Sequence, residues 1–194
     1  MHGLINRALQ KFSCDTYGRG FWDGVARDAG LGHSDFEAML TYDPAMTDAV
    51  LSVLARRLGR DRSAVLEDVG TYLVSHGDGG LRRLLRFAGA GFEDFLDSLD
   101  DLPERARLAV PDLDLPRIES EPGGGGRVRI RCLGPHEGFG HVLVGVLRAM
   151  ADDYGALVTI DHTGQGPGVE TIEVALVVAG YAAGRRFDLG ARTG

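Results

Sequence analysis

The spacing of apolar residues changes at Pro111, and this change divides the chain into two parts. Before Pro111, apolar residues recur every three or four positions, which is typical of amphipathic helices. After it, Arg127–Cys132 alternates strictly between charged and uncharged side chains, which predicts a strand with one solvated face. A helical part followed by a sheet part is typical of the α+β class. The sequence therefore predicts an N-terminal helical subdomain packed on an antiparallel sheet that carries one late helix.

Glycines and capping residues divide the first part into several helices. Gly18 and Gly30 are expected to end the first two, and Thr47 is expected to cap the third. A fourth helix follows and ends near His76. Shorter helical segments are predicted at 81–87, 92–99 and 104–110. The glycine breaks between them are short, as in a cluster of packed helices.

The second part is predicted to hold three strands and one helix. The strands are expected at 127–132, 156–160 and 171–178, with a glycine-rich loop at 163–168. An amphipathic helix is predicted at 139–154. We expect one domain over residues 1–182, with 1–110 helical and 111–182 forming the sheet part. Residues 183–194 are expected to form a flexible tail.

Composition excludes several functional classes. The 194 residues include 21 basic and 28 acidic side chains, and a net charge of −7 argues against nucleic-acid binding. Cys14 and Cys132 are too far apart for the usual closed zinc site. No segment approaches the roughly 20 apolar residues of a membrane helix, and residues 1–7 do not form a signal peptide. A soluble cytoplasmic protein is expected.

Four segments together resemble the heme nitric oxide/oxygen binding (H-NOX) sensor family. They are Gly3-Leu4-Ile5-Asn6 with Ala8-Leu9, Tyr17-Gly18 with Phe21-Trp22, the segment 92–102, and the segment 107–116. Members of the family hold heme between a helical and a sheet subdomain and sense NO or O2. The resemblance implies a signalling domain without catalytic activity of its own. Its implied partners are a histidine kinase or a cyclic-dinucleotide enzyme, besides a small gas or another apolar ligand.

The resemblance also assigns roles to individual positions around the heme. Pro116 matches the proline that presses on the porphyrin. Further positions match the apolar wall of the heme pocket, namely Ile5, Leu9, Leu73 and Val74. Each of these residues has a simpler interpretation, because Pro116 would suit a turn and the apolar residues would be core in any fold.

Two heme determinants of the family are missing. Pro103 stands where the family keeps the histidine that binds the iron, and proline offers no lone pair to a metal. Proline does suit the first turn of the helix that follows. The Tyr-x-Ser-x-Arg motif that holds the heme propionates is replaced by Cys132, Gly134 and His136. Among these, only His136 can still contact a carboxylate, and it does so in a pH-dependent way.

Two further histidines have competing interpretations. His141 matches the gas-binding side of the family pocket, where an imidazole could bind iron from the opposite face. The alternative is a partly buried helix residue that is hydrogen-bonded to backbone. His162 follows Asp161, which could orient a ligand imidazole, or it lies on a surface loop.

Two functions of different classes therefore remain open. One is a heme-dependent NO or O2 sensor with altered or weakened ligation through His141. The other is a heme-independent module on the same scaffold that binds another ligand or a protein. No nucleophile in a recognisable turn supports an enzyme.

Overall fold

A computed structural model describes residues 1–76, 85 and 91–178, within which seven helices and four strands form. The helices are α1 (Gly3–Tyr17), α2 (Arg19–Asp28), α3 (Pro44–Leu58), α4 (Arg62–His76), α5 (Phe92–Asp97), α6 (Leu102–Ala109) and α7 (Phe139–Tyr154), with a short 3-10 turn at Leu99–Asp101. The strands are β1 (Arg117–Gly123), β2 (Arg127–Leu133), β3 (Leu157–Gly166) and β4 (Val169–Val178). The helix predicted at 81–87, apart from Leu85, the boundary at 182 and the tail at 183–194 lie outside the described residues.

The helix ends follow local chemistry, with one correction to the sequence-based expectations. Gly18 ends α1 with a φ of 88°, a conformation that glycine adopts without steric cost. Thr47 is not the cap of α3, which begins three residues earlier at Pro44. Asp43 supplies the cap, because its Oδ1 accepts from the Ala45 N–H at 2.9 Å. Aspartate followed by proline is the stronger start signal, and Thr47 is left inside the helix.

The four strands form one antiparallel sheet in the order β1-β2-β4-β3. Strand β1 was not among the predicted strands, because its charged sequence lacks the apolar alternation of a half-buried strand. It is nevertheless an edge strand, where charged residues are tolerated. The loop predicted at 163–168 is also wrong over most of its length. Strand β3 continues to Gly166 through a register shift between His162 and Gly164, and strand β4 begins at Val169.

The buried apolar side chains form two separate cores. One core lies among α1 to α4 and includes Trp22 and Leu54, both with no solvent exposure. The other lies between α7, α5 and the sheet and includes Phe95 and Leu147, which are equally buried. The α+β prediction is confirmed. No helix among the described residues is long and apolar enough to cross a membrane.

Helices α4 and α7 join the two parts and approach each other closely. A Cβ atom built on Gly70 would lie 2.0 Å from the Val142 carbonyl oxygen, and one on Gly145 would lie 1.9 Å from the Glu67 carbonyl oxygen. The Thr71 hydroxyl also donates to the Gly145 carbonyl at 3.3 Å. Only glycine therefore permits this backbone separation at both positions.

Candidate functional site

A cavity of about 280 Å³ lies where the two cores meet. Helices α1, α3 and α4 form one side of it, and α6, α7 and the connector 113–116 form the other. Its walls are apolar apart from Thr47 and three side chains at one end, Asp114, His136 and Glu137. The volume is close to the lower end of the range for small-molecule sites, which are typically apolar with a few polar groups. This cavity is the candidate functional site.

Most residues that the sequence placed around a pocket do line this cavity. They are Ile5, Leu9, Leu73, Pro116 and His136. Val74 does not line it, because it follows Leu73 on α4 and is buried in the core on the sheet side. Successive residues on a helix point about 100° apart, so neighbours such as these face different cores.

His141 is not among the residues that line the cavity. Its Nδ1 lies 3.3 Å from a carboxylate oxygen of Glu67, and its ring stacks on that of His162 with centroids 4.0 Å apart. The next residue on α7, Val142, lines the cavity instead. A carboxylate partner, rather than the backbone bond expected as the alternative, holds the imidazole. The structure therefore does not bring His141 to the position of a ligand inside this cavity.

Glu170 is a buried carboxylate that sequence reasoning did not single out. Its two oxygens accept hydrogen bonds from the backbone N–H groups of Gly138 at 2.7 Å and Gly140 at 3.0 Å. These groups lie at the N-terminal end of α7, where a negative charge stabilises a helix. The Nε2 of His162 also contacts Glu170, at 3.1 Å. A lone glutamate within a strand gives no signal of such a role, because the two backbone N–H groups that it binds are 32 and 30 residues away.

The position of His162 corrects both interpretations drawn from the sequence. It lies in β3 rather than on a surface loop, and its side chain is only 12% exposed. Glu170, rather than the neighbouring Asp161, is its carboxylate partner. Adjacent residues of a strand point to opposite faces, so Asp161 cannot readily orient the imidazole.

The polar end of the cavity carries two exposed carboxylates around one imidazole. The Nε2 of His136 lies 3.5 Å from an Asp114 carboxylate oxygen, and Glu137 is the next residue. On the opposite wall, the Thr47 hydroxyl donates to the Asn6 side-chain oxygen at 2.7 Å. The two carboxylates are acceptors, whereas the Nδ2 of Asn6, beside Thr47, is a buried donor with no hydrogen-bond partner among the described residues.

Cys132 and Gly134, which replace two residues of the expected propionate motif, lie outside the cavity wall. Burial, together with the negative charge of Glu170, raises the pKa of the Cys132 thiol to about 12. A Cβ on Gly134 would lie 3.2 Å from Pro116, so a larger residue would push on the proline that lines the cavity. Neither position offers a cation to a carboxylate.

A family model for Haem-NO-binding domains matches residues 2–162, which is most of the chain. The chain belongs to the Haem-NO-binding family. The resemblance to H-NOX proteins that the sequence motifs indicated is confirmed.

Solved H-NOX structures share the fold of this family member along most of its length. An H-NOX protein from S. oneidensis, a triple mutant in the Fe(II) ligation state, matches with a TM-score of 0.79 and 16% identity, covering 92% of this chain and 97% of that chain. An oxygen-binding H-NOX domain related to soluble guanylate cyclases gives a TM-score of 0.71 and 14% identity, covering 92% and 96%. At these identities the likeness shows the fold alone.

Soluble guanylate cyclases are similar over part of their length. The gcy-31 cyclase of Caenorhabditis elegans is 22% identical over 157 residues, which is 79% of this chain and 22% of that protein. The human guanylate cyclase soluble subunit beta-2 is 27% identical over 75 residues, which is 39% of this chain and 12% of that protein. The chain thus spans less than a quarter of either relative.

In this Haem-NO-binding member, the position where the resemblance predicts the iron ligand lies beside the cavity. Pro103 is buried in the first turn of α6, as expected for a helix-starting proline, and its neighbour Leu102 lines the cavity. Neither side chain can coordinate a metal. The cavity wall beside the position expected to hold the family's histidine is therefore apolar at Leu102.

Proposed function

We propose that this chain is a sensory domain of the H-NOX type that binds an apolar ligand in the cavity and passes its occupancy to a signalling partner. The observation that carries this proposal is the placement of the cavity between the two cores. Its walls come from both parts of the domain, so a bound molecule contacts both at once. Apolar burial contributes about 25 cal/mol per Å², which is sufficient for a small molecule to bind in such a space.

A ligand bound in the cavity affects the rest of the fold through α4 and α7. Both helices contribute to the wall, with Val69 and Leu73 on α4 and Val142 and Val146 on α7. A ligand that fills the space stabilises their packing, and a ligand that binds one arrangement better shifts the population toward it. The family resemblance suggests a histidine kinase or a cyclic-dinucleotide enzyme in the cytoplasm as the partner. The similarity to guanylate cyclases supports a partner that forms a cyclic nucleotide.

Heme, the group that the family name implies, fits these residues poorly. Heme needs a protein atom that coordinates its iron and cations that pair with its two propionates. Among the described lining residues, only His136 and Met1 carry a side-chain atom suited to iron. None of the described lining residues has a basic side chain of lysine or arginine, and the polar end carries Asp114 and Glu137 instead. Carboxylates at this end would repel a propionate rather than bind it.

His136 supports heme-dependent sensing of NO or O2 as a second candidate. It lines the cavity, unlike His141, and its side chain is 29% exposed and so accessible to a ligand. In this form His136 would be the axial ligand of a heme held without the family's usual anchors. Heme, when bound, would supply the site at which a diatomic gas is recognised.

Titration with hemin separates the two candidates. We expect wild type to give no sharp Soret band at one equivalent, and we expect His136→Ala and His141→Ala to behave identically. A stoichiometric band that is lost in His136→Ala and kept in His141→Ala would establish the second candidate. Loss in His141→Ala alone would show that the imidazole rotates into the cavity when heme binds.

A neutral fluorescent probe, N-phenyl-1-naphthylamine, tests the cavity without heme. We expect binding with one-to-one stoichiometry and slower amide hydrogen exchange in α4 and α7 on binding. Ala8→Phe places a ring at a cavity-lining position and should abolish binding. Ala109→Phe makes the same change at an exposed position and should not. If wild type binds no probe, or if both variants bind it equally, the proposal is wrong.

A further inference from the structure

The charged groups at the polar end of the cavity have an excess of negative charge. Two residues at this end, Asp114 and Glu137, carry carboxylates that are exposed to solvent, and the Met1 ammonium is the one positive group among the described lining residues. With histidine counted as neutral, the sum is negative. The Met1 ammonium is also hydrogen-bonded to the Tyr42 carbonyl oxygen at 2.8 Å, so part of its donor capacity is already used.

The neutral polar groups at the same cavity offer acceptors more readily than donors. Thr47 gives its hydroxyl hydrogen to Asn6, which leaves its oxygen lone pairs. His136 directs its Nε2 toward Asp114 at 3.5 Å. With that nitrogen protonated, the Nδ1 of a neutral imidazole is an acceptor. The backbone N–H of Gly138, another lining residue, already donates to Glu170 at 2.7 Å.

A second, more polar pocket of about 620 Å³ adjoins the cavity at this end. The two share wall residues that include His136 and Glu137. Arg62 lies in this outer pocket, but its guanidinium is paired with the carboxylate of Asp48. Arg62, the one arginine among the described residues of the outer pocket, therefore already has a carboxylate partner.

Resting on the proposed function, we propose that the cavity selects an amphipathic ligand whose polar end is a cation or a hydrogen-bond donor. An apolar chain or ring occupies the space between the cores, and an ammonium or hydroxyl group meets Asp114, Glu137 and His136. An anionic end group, such as the carboxylate of a fatty acid or the propionates of a porphyrin, meets like charges and is disfavoured. The apolar wall provides most of the affinity, and the carboxylates provide the selection by charge.

The expected selectivity is modest because both carboxylates are exposed. The Asp114 side chain is 76% exposed, and exposed ion pairs are weak and are screened by salt. A cationic end group makes two attractive contacts with these carboxylates, whereas an anionic end group makes two repulsive ones. We expect this difference to change the affinity by on the order of tenfold at low ionic strength. The difference should shrink in high salt, whereas affinity due to apolar burial should not.

Three decyl compounds with the same chain and different end groups test this selectivity. Decylamine, decanol and decanoate are titrated calorimetrically at pH 8 and low salt, below their aggregation limits. We expect decylamine to bind about tenfold more tightly than decanoate, with decanol between them. The double variant Asp114→Asn with Glu137→Gln should reduce the ratio to about twofold or less and leave decanol unchanged. The control, Glu93→Gln with Asp97→Asn, makes the same charge change on exposed residues that do not line the cavity and should retain the full ratio.

The outcomes distinguish the selectivity from the proposed function. If decanoate binds as tightly as decylamine, or if the control pair reduces the ratio as strongly as the test pair, the inferred charge selection is wrong. The sensory proposal survives that result if decanol binds to wild type and is excluded by Ala8→Phe. If none of the three compounds binds, the charge selection and the ligand cavity itself are both refuted.

Discussion

Replacing Gly145 by alanine tests whether the close crossing of α4 and α7 holds the two parts of the domain together. The added Cβ would lie 1.9 Å from the Glu67 carbonyl oxygen and 2.8 Å from the Thr71 nitrogen. Ordinary contact begins at 3.4 Å, so the backbones must separate by about 1.5 Å, the difference between 3.4 and 1.9 Å. Both obstacles are backbone atoms of a helix, so no side-chain rotation can relieve the contact.

Two opposing effects set the magnitude. Alanine favours a helix over glycine by about 1 kcal/mol. Overpacking a close contact costs about 1–3 kcal/mol, and more where the backbone must move. The separation also loosens apolar contacts along the crossing, where Leu66 and Val146 line the adjacent cavity. We therefore expect a net loss of about 2 kcal/mol in the free energy of unfolding, which corresponds to a fall in Tm of about 4–8 °C for a chain of this length.

Thermal and urea unfolding followed by circular dichroism measure this change. Gly20→Ala is the matched control, since Gly20 lies in α2 with no atom within 4 Å of its added Cβ. That variant should gain about 0.5–1 kcal/mol. If Gly145→Ala proves as stable as Gly20→Ala, the close approach of the two helices is not a feature of the folded protein. Weaker binding of the neutral probe by Gly145→Ala would link the crossing to the cavity.

Two other predictions concern buried groups near the start of α7. Glu170→Gln keeps the shape of the side chain but places an NH2 group against one of the two backbone N–H donors. We expect the free energy of unfolding, measured with urea, to fall by about 2–3 kcal/mol. An unchanged stability would contradict the buried network. The pKa of the Cys132 thiol is raised to about 12 from 9.0, so the folded state favours the protonated form. The contribution of the protonated thiol to the free energy of unfolding is complete below pH 9 and is lost as the pH rises toward 12. Wild type should therefore lose more stability between pH 8 and 11 than Cys132→Ala does, and iodoacetamide at pH 8 should modify the less buried Cys14 first.

The local sequence pattern was sufficient to predict those elements whose limits depend on their own residues. Helix α7 was predicted at 139–154 and has those limits, because its apolar residues repeat at helical spacing and Gly155 ends it with a φ of 65°. Pro103 was expected in the first turn of a helix and lies there. Strand β1 was not predicted, because an edge strand pairs on one side only and can consist largely of charged residues without an apolar alternation.

The pairing of polar side chains was not predictable in the same way. Glu170 and His162 are in contact because β3 and β4 pair, and both lie beside the start of α7 because that helix packs on the sheet. His141 was expected in the pocket but pairs with Glu67, since the crossing of α4 and α7 brings this carboxylate to it. His162 and Glu170 are eight residues apart and His141 and Glu67 are 74 residues apart, and no local periodicity indicates either contact.

The sequence by itself determined the family, the α+β class, most helices and the absence of a histidine at the expected iron-ligand position. These features depend on residue identity and on spacing along the chain. Only the tertiary structure decided which apolar residues face the cavity, that His136 rather than His141 reaches it, and that its polar end is acidic. The physical reason is that the cavity is bounded by elements from both parts of the chain. Two of these elements, α4 and α7, approach each other closely at Gly70 and Gly145.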